Sequence, residues 1–265
     1  MRTKVRDIYM EYEDHGSGMP LLFIHGYPLN RSLWDLQVNE LADAARVLAP
    51  DLRGHGGSDP APGPYSMDLH AQDCHDFLDA LHVTQPVVLC GLSMGGYIAL
   101  AFYRKYPERA GGLILAATRA GPDSFEGKAN RDKAMALARE NGVRAITETM
   151  LPKMLSPESY QARPELVERV RRMMESTSLE GVLGDLAGLR DRPDSTPTLA
   201  QIDRPALILH GADDQLIPPA EAEAMHAAIK GAQLQIIPDA GHLLNWEQPE
   251  AFNHAVREYL RKSRF

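Results

Sequence analysis

The chain has 265 residues, of which 44% are hydrophobic and 24% are charged, a composition typical of a globular protein that buries a full core. Its formal net charge of -8, with no run of lysine or arginine, argues against binding to nucleic acids or to anionic membrane surfaces. No apolar stretch approaches the roughly 18 residues of a membrane-spanning helix, and the N-terminus MRTKVRDIYMEYED lacks the apolar core of a signal peptide.

The predicted elements begin with an antiparallel hairpin, because VRDIYMEYED alternates and HGSG follows as a turn. Short apolar runs typical of buried strands come next, separated by longer helical patterns: LLFI from Leu21, RVLA from Arg46, PVVLC from Pro86 and GLILA from Gly112. Two more predicted strands, PALILH and QLQII, bracket the helix PAEAEAMHAAI, and the helix PEAFNHAVREYLRK closes the chain. This alternation predicts an α/β fold with a mostly parallel central sheet and helices on both faces.

The alternation stops between Thr118 and about Thr198, where every pattern is helical. We therefore expect residues 1–118 and 198–265 to form the core, and residues 119–197 to form a helical lid inserted after a sheet strand. Most apolar side chains of this insertion are expected in the core, with some facing the serine if the lid covers the site: Leu137, Met150, Leu151, Met154, Leu155, Val167, Met173, Met174 and Leu183. Its arginines are expected on solvated helix faces, although each could bind a carboxylate: Arg119, Arg131, Arg144, Arg171 and Arg172.

A serine stands between two glycines in CGLSMGGYIAL, at the junction of a predicted strand and a predicted helix. The spacing G-x-S-x-G at such a junction is typical of a tight corner, which lifts the hydroxyl of Ser93 above the carboxyl ends of the parallel strands. Gly91 and Gly95 fit that corner because larger side chains would clash there. The alternative is a glycine-rich turn with an incidental serine. The context favours Ser93 as a nucleophile.

A serine nucleophile needs a base, and the base needs an acid that orients it. In this topology the expected order along the chain is serine, acid, histidine. His242 follows a predicted strand in IIPDAGHLLNWEQPE, and the acid is expected in LILHGADDQLIPP. Asp213 and Asp214 both occur there, and adjacent residues in a turn point in different directions, so the pattern alone leaves either one as the acid.

Ester cleavage also needs two N–H donors for the developing oxyanion. The backbone N–H of Met94, the residue after the serine, is the first candidate. The second is the backbone N–H of Tyr27 in LLFIHGYPLN, a glycine-containing loop after another central strand. The alternative for HGYP is a plain turn.

The remaining histidines and the cysteines predict no further chemistry. His25 and His55 lie in glycine-rich loops that they are expected to shape, and His210 is expected to pack beside the acid loop. Surface or helix-face positions are expected for the other six: His15, His70, His75, His82, His226 and His254. Because the histidines are scattered, no metal site and no cofactor are predicted. Cys74 and Cys90 are expected as free core thiols in a reducing compartment, which suggests a cytoplasmic location.

Five motifs in order make the sequence resemble the α/β-hydrolase superfamily: HGYP, DLRGHGGSD, GLSMGG, GADDQLIP and GHLLNWEQPEAF. The resemblance implies that Asp214, rather than Asp213, is the acid and that DLRGHGGSD is a structural loop. GPYSMDLHAQD, GLSMGG and NWEQPEAF look like 3-oxoadipate enol-lactonases. HGYPLNRSLW looks like the cofactor-free perhydrolases, which have Trp where Tyr27 stands and usually a different motif around the serine.

The sequence thus predicts a serine hydrolase for carboxylic esters of small to medium acyl chain, with Ser93, Asp214 and His242 as catalytic residues. The Tyr27 and Met94 amides would bind the oxyanion, and the expected partner is a small ester or lactone. The alternatives are an enol-lactone hydrolase, a perhydrolase and a non-catalytic receptor on the same fold.

Overall fold

The computed structural model describes residues 1–263 and contains one eight-stranded sheet. Its strands are β1 (Arg2–Val5), β2 (Ile8–His15), β3 (Pro20–Ile24), β4 (Arg46–Pro50), β5 (Val87–Leu92), β6 (Ala110–Ala116), β7 (Ala206–Gly211) and β8 (Gln233–Ile237). Their order across the sheet is β1-β2-β4-β3-β5-β6-β7-β8. The first two are antiparallel to their neighbours, and all other pairs are parallel. Each expected strand is therefore confirmed. The chain does open with an antiparallel hairpin, but its turn is at Arg6 and Asp7, inside VRDIYMEYED, whereas HGSG leads from β2 to β3, which are not paired with each other.

The helices before β7 are α1 (Asp35–Val38), α2 (Met67–Ala80), α3 (Met94–Lys105), α4 (Phe125–Met150), α5 (Pro157–Ala162), α6 (Pro164–Glu175), α7 (Leu179–Arg190) and α8 (Thr196–Leu199). Those after β7 are α9 (Pro219–Ala228), α10 (Leu244–Glu247) and α11 (Pro249–Lys262). None of the helices in residues 1–263 has the length and apolar character needed to cross a membrane.

Successive side chains of the central strands enter two different cores. In β3, Leu22 and Ile24 pack with α2 and α3 on one face of the sheet, whereas Leu21 and Phe23 pack with Trp34 and the C-terminal helix on the other. This is the consequence of a strand period of two, and burial on both faces explains the continuous apolar runs. Cys74 and Cys90 are buried and unpaired, as expected.

The segment between β6 and β7 is helical, as expected, and α8 crosses the expected boundary at residue 198. The long run that begins at NRDKAMALARENG is not one continuous helix, because Gly142 has a left-handed φ of 76° and breaks α4. Three methionines of the segment between β6 and β7, Met154, Met173 and Met174, are buried in the core that also contains Trp34 and the C-terminal helix. The segment therefore shares a core with the sheet.

His70 is a correction to the expected surface position. It is fully buried on α2, and its Nε2 atom donates to Oδ1 of Asp185 on α7 at 2.7 Å. The second oxygen of Asp185 lies 3.2 Å from Nε2 of His55, in the loop after β4. Periodicity identifies a helix, but it does not reveal that a second helix will cover a polar position on it.

Candidate active site

Ser93 lies at the corner where β5 ends and α3 begins, at the middle of the sheet. Its φ of 56° and ψ of -114° are rare for a residue with a side chain, so this corner stores backbone strain. The corner is held by two hydrogen bonds: the Ser93 amide donates to the Ala116 carbonyl, and the Ser93 carbonyl accepts from the Thr118 hydroxyl. Ser93 is half-buried, so its hydroxyl is within reach of a ligand.

The glycines around Ser93 are required by close backbone contacts. A Cβ atom on Gly91 would lie 2.1 Å from the Gly95 carbonyl oxygen, and one on Gly95 would lie 2.0 Å from the Ile24 carbonyl oxygen. Both distances are far below van der Waals contact, so the spacing G-x-S-x-G is dictated by the packing of β5, α3 and β3 against one another.

The loops after β7 and β8 bring Asp214 and His242 together. Nδ1 of His242 lies 2.8 Å from Oδ2 of Asp214, and both side chains are buried. The other Asp214 oxygen accepts hydrogen bonds from the amides of Leu216 and Ile217, at 2.8 and 3.0 Å. Asp213 is exposed, and its amide donates to the Ala240 carbonyl. The geometry thus pairs Asp214, and not Asp213, with the histidine.

The environment of Asp214 keeps its carboxylate charged. Burial raises the pKa of Asp214, but the facing His242 and the two amides outweigh burial, and the pKa lies below its ordinary value. His210 packs beside this loop, as expected, with Nε2 2.9 Å from the Ile217 carbonyl oxygen and 3.4 Å from Asp214. A charged, fixed Asp214 can orient the His242 ring and stabilise its protonated form.

A cavity of about 130 Å³ joins the expected site residues. Ser93, Met94, His242 and Tyr27 all line it, although they come from three separate places in the chain: the corner between β5 and α3, the loop after β8 and the loop after β3. Met94 is the first residue of α3, and the first amides of a helix have no acceptor within the helix. A second cavity of about 530 Å³ shares Tyr27 with the first and is lined by residues of α4 and α7.

Two buried histidines shape the loop that carries Tyr27. Nδ1 of His25 donates to the Gly26 carbonyl at 3.0 Å, and its Nε2 accepts from the Leu52 amide at 3.0 Å. His55 bonds the Arg53 carbonyl, and its ring centroid lies 5.0 Å from that of His25. The expectation that both histidines hydrogen-bond their loops is confirmed. The peptide bond between Tyr27 and Pro28 is cis.

The arginines of the helical segment divide into two groups, and two of them correct the expectation of solvated faces. Arg119 and Arg131 line the cavity that contains Ser93, and both bind Asp123. Arg144 and Arg172 are exposed, as expected, and Arg171 is partly buried beside Glu148. Sequence patterns missed the first two because Arg119 lies in an irregular loop and because the orientation of α4 depends on tertiary packing.

Among residues 1–263, the side chains close enough to share a metal ion are His75, Asp76 and Asp79 on α2. Arg6 and Arg109 already pair with the two aspartates, at 3.7 and 2.8 Å. None of the three lines the cavities described above. We assign no metal chemistry to this group.

Comparison with known proteins relates this geometry to a family. The model of the family described as the alpha/beta hydrolase fold matches residues 19–249. A 3-oxoadipate enol-lactonase of Acinetobacter baylyi is 32% identical over 97% of this chain and 95% of its own length. A solved thermophilic esterase from Thermogutta terrifontis is 44% identical with a TM-score of 0.96, covering 99% of this chain and 98% of the esterase. The enol-lactonase from Burkholderia xenovorans LB400 is 27% identical with a TM-score of 0.92, covering 99% and 100%.

Proposed function

The chain belongs to the α/β-hydrolase family, and within it we propose a serine hydrolase that cleaves carboxylic esters through an acyl-enzyme formed on Ser93. The observation that carries this proposal is the shared cavity. Ser93 projects into it from a strained corner, and the His242 ring, fixed by Asp214 at 2.8 Å, lines the same space.

In the proposed reaction, Ser93 attacks the ester carbonyl while Nε2 of His242 takes the hydroxyl proton. Because Nδ1 of His242 faces the charged Asp214, this nitrogen carries the hydrogen and leaves Nε2 free to accept. The protonated His242 then gives its proton to the leaving alcohol. Water attacks the acyl-enzyme with the same histidine as base, and the acid is released.

The amides of Tyr27 and Met94 would bind the negative oxygen of the tetrahedral intermediate. Met94 provides an amide at a helix start, and Tyr27 lies in the loop that follows β3, the neighbour of β5. Each such donor is worth about 3 kcal/mol of transition-state stabilisation. The reaction therefore uses groups of this chain and water.

Residues 119–197 act in this proposal as the lid that selects the acyl chain. Met150 and Leu216 line both cavities, and Leu137, Ile146 and Leu186 line the larger one. Its volume of about 530 Å³ lies in the range of small-molecule sites. Small to medium acyl chains fit this space.

A fluorophosphonate probe and a series of p-nitrophenyl esters test the proposal. The probe should label the wild-type protein at Ser93, and Ser93→Ala should lose labelling and nearly all hydrolysis with an unchanged circular dichroism spectrum. A receptor on the same fold with a misaligned triad would label poorly and hydrolyse none of the esters. Turnover of Ser93→Ala near the wild-type rate would exclude the mechanism.

Hydrolysis of an enol-lactone is the second candidate, because the relatives from A. baylyi and B. xenovorans are named enol-lactonases. A lactone is an internal ester, so the same residues would open it. Simple lactones assayed beside the esters separate the two candidates by their kcat/KM.

A perhydrolase side activity stays a prediction from the HGYPLNRSLW resemblance. In it, hydrogen peroxide would replace water in the attack on the acyl-enzyme and give a peracid. Bromide oxidation in acetate and peroxide measures the peracid, and a signal no higher than that of Ser93→Ala would exclude this activity.

A further inference from the structure

Three guanidinium groups share one carboxylate, and two of them line the cavity that contains Ser93. Oδ1 of Asp123 accepts hydrogen bonds from Arg119 and Arg192, both at 2.7 Å, and Oδ2 accepts one from Arg131 at 3.0 Å. Asp123 and Arg192 are nearly inaccessible, whereas Arg119 and Arg131 keep 29% and 26% of their side-chain surface. One anion for three cations leaves a local positive excess in a chain whose net charge is -8.

The positive charge of these guanidinium groups lies beside the two cavities. Arg119 and Arg131 line both of them, and Lys133 lines the larger one. Within residues 1–263, Asp123 is the only carboxylate that lines either cavity. Glu221 also acts on Arg119, but it belongs to the first turn of α9 and lines neither cavity.

A second observation points to a ligand in the same place. The hydroxyl of Tyr27 is buried and has no hydrogen-bond partner, although Tyr27, which is only 4% exposed, lines both cavities. Buried hydroxyl groups nearly always have a hydrogen-bond partner, so an unpaired hydroxyl beside a cavity is available to donate to a bound ligand. Nε of Arg119 is likewise buried without a partner. Burial and the nearby Asp185 raise the pKa of Tyr27, so the hydroxyl keeps its hydrogen.

We propose that Arg119, Arg131 and the Tyr27 hydroxyl form a subsite for a carboxylate at the unreactive end of the substrate. This inference rests on the proposed function and names its substrate class: esters or lactones that carry a free carboxylate. A planar carboxylate accepts from a guanidinium and a hydroxyl at once, and such charge-assisted bonds are strong in a site sheltered from water.

The remaining walls fit the carbon chain between the two ends of such a substrate. Ala134, Leu137, Ile146, Met150 and Leu186 line the larger cavity beside the two arginines. The ester carbonyl would lie at Ser93 and the chain along this apolar wall. Asp123 binds no substrate in this arrangement; it holds the three guanidinium groups in place and offsets part of their repulsion.

A matched pair of esters tests the subsite. The p-nitrophenyl half-ester of adipic acid carries the carboxylate, and the isosteric p-nitrophenyl ester ends in an isopropyl group instead. We expect the wild-type kcat/KM to favour the charged ester at least about tenfold, mainly through KM, because a hydrogen bond to a charged group is worth about that factor or more. A wild-type preference for the neutral ester would overturn the subsite.

Three variants test which side chains cause the preference for the charged ester. Arg119→Gln, Arg131→Gln and Tyr27→Phe should each lower the charged-to-neutral ratio by about tenfold or more. Tyr27→Phe keeps the backbone amide and removes the hydroxyl alone. Arg144→Gln is the control, because Arg144 lies beyond the break of α4 at Gly142 with 80% of its side chain exposed, and it should keep the wild-type ratio. Ratios that equal the wild-type ratio in all three variants would overturn the assignment.

Ligand binding to the inactive variant Ser93→Ala tests the carboxylate subsite independently of the proposed reaction. Calorimetry should show monomethyl adipate binding at least about tenfold more tightly than dimethyl adipate, and Arg131→Gln in the same background should remove the difference. Selective binding without hydrolysis of any ester would support the subsite and exclude the hydrolase. Hydrolysis without selective binding would support the hydrolase and exclude the subsite.

Discussion

Nε2 of His70 donates a hydrogen bond of 2.7 Å to Oδ1 of Asp185, and this fully buried bond joins α2 beside the sheet to α7 of the helical segment. His55 contacts the other oxygen of Asp185 at 3.2 Å. Burial raises the pKa of Asp185, but the two histidines outweigh burial and lower it to about 2. A charged Asp185 therefore connects three separate parts of the chain.

Asp185→Asn should destabilise the fold by about 3 kcal/mol or more, because an amide turns a donor toward one of the two histidines and removes the buried charge. Urea unfolding at pH 7 measures the change. Asp191→Asn is the control one residue beyond α7, where the side chain is 59% exposed, and it should change stability by at most about 1 kcal/mol. Equal shifts in the two variants would contradict a special role for Asp185.

Asp214→Asn should lower kcat on the order of ten-thousandfold, since asparagine neither fixes the His242 tautomer nor stabilises its charged form. Asp213→Asn changes the neighbouring exposed residue and should leave kcat within about twofold. Initial rates with p-nitrophenyl acetate measure both variants. Loss of activity in the Asp213 variant alone would mean that the acid has been misassigned.

His25 should make the fold sensitive to acid. Burial lowers the pKa of His25 to about 3, and the neighbouring His55 is the next cause. Protonation at Nε2 would also turn a hydrogen toward the Leu52 amide, which now donates to this atom. The unfolded value is about 6.5. The stabilisation by neutral His25 is therefore complete above pH about 6.5 and is lost as the pH falls toward about 3.

The free energy of unfolding should accordingly fall by roughly 2–3 kcal/mol more between pH about 7 and about 4 in the wild type than in His25→Gln. A glutamine side chain stays neutral over this range, so the variant is less stable at pH 7 but responds less to acid. His254→Gln, at an exposed position of α11, should keep the wild-type slope. Parallel curves for wild type and His25→Gln would refute the assignment.

Met150→Ala should shift the preference toward longer acyl chains, because Met150 lines both cavities. We expect a gain of about tenfold in the ratio of kcat/KM for octanoate over acetate, the value of one or two methylene contacts. Leu179→Ala, at an exposed position of the helical segment, is the control and should leave the ratio unchanged. An unchanged profile in Met150→Ala would exclude this side chain from the acyl pocket.

Removing the whole helical segment is a poorer test of the lid than these single changes. Met154, Leu155, Val170 and Met174 from this segment pack with strand residues such as Leu207 and Leu209 in one core. Deletion would expose that core, so lost selectivity could not be separated from lost folding.

The strands and the position of Ser93 at a strand-to-helix corner could be predicted because each has a local sequence pattern. Central strands such as β5 are continuous apolar runs since both faces are covered, and the glycines beside Ser93 follow from steric limits that the sequence itself carries. Asp213 and Asp214 could not be separated by spacing, because the direction of a side chain in a turn is set by the tertiary structure.

Arg131 and His70 show where sequence patterns lose information. Both occupy polar positions on helices, where exposure is the usual expectation, and in both cases a carboxylate outside the residue's own helix decides otherwise. Arg131 reaches Asp123 eight residues earlier across a chain turn, and His70 reaches Asp185 on another helix. Gly142 similarly breaks α4 within a stretch whose composition favours one continuous helix.

The backbone conformation of Ser93 lowers the stability of the folded protein, whereas the proposed function requires a serine at this position. A side chain held at φ 56° and ψ -114° costs about 1–3 kcal/mol relative to a relaxed residue, and glycine is largely exempt from that cost. Ser93→Gly should therefore be an inert protein that melts at a higher temperature than the wild type, whereas Ser93→Ala should not gain in this way. Selection for heat resistance alone would drive this position away from serine, so under the proposed function the strain at Ser93 is a cost of its reactivity.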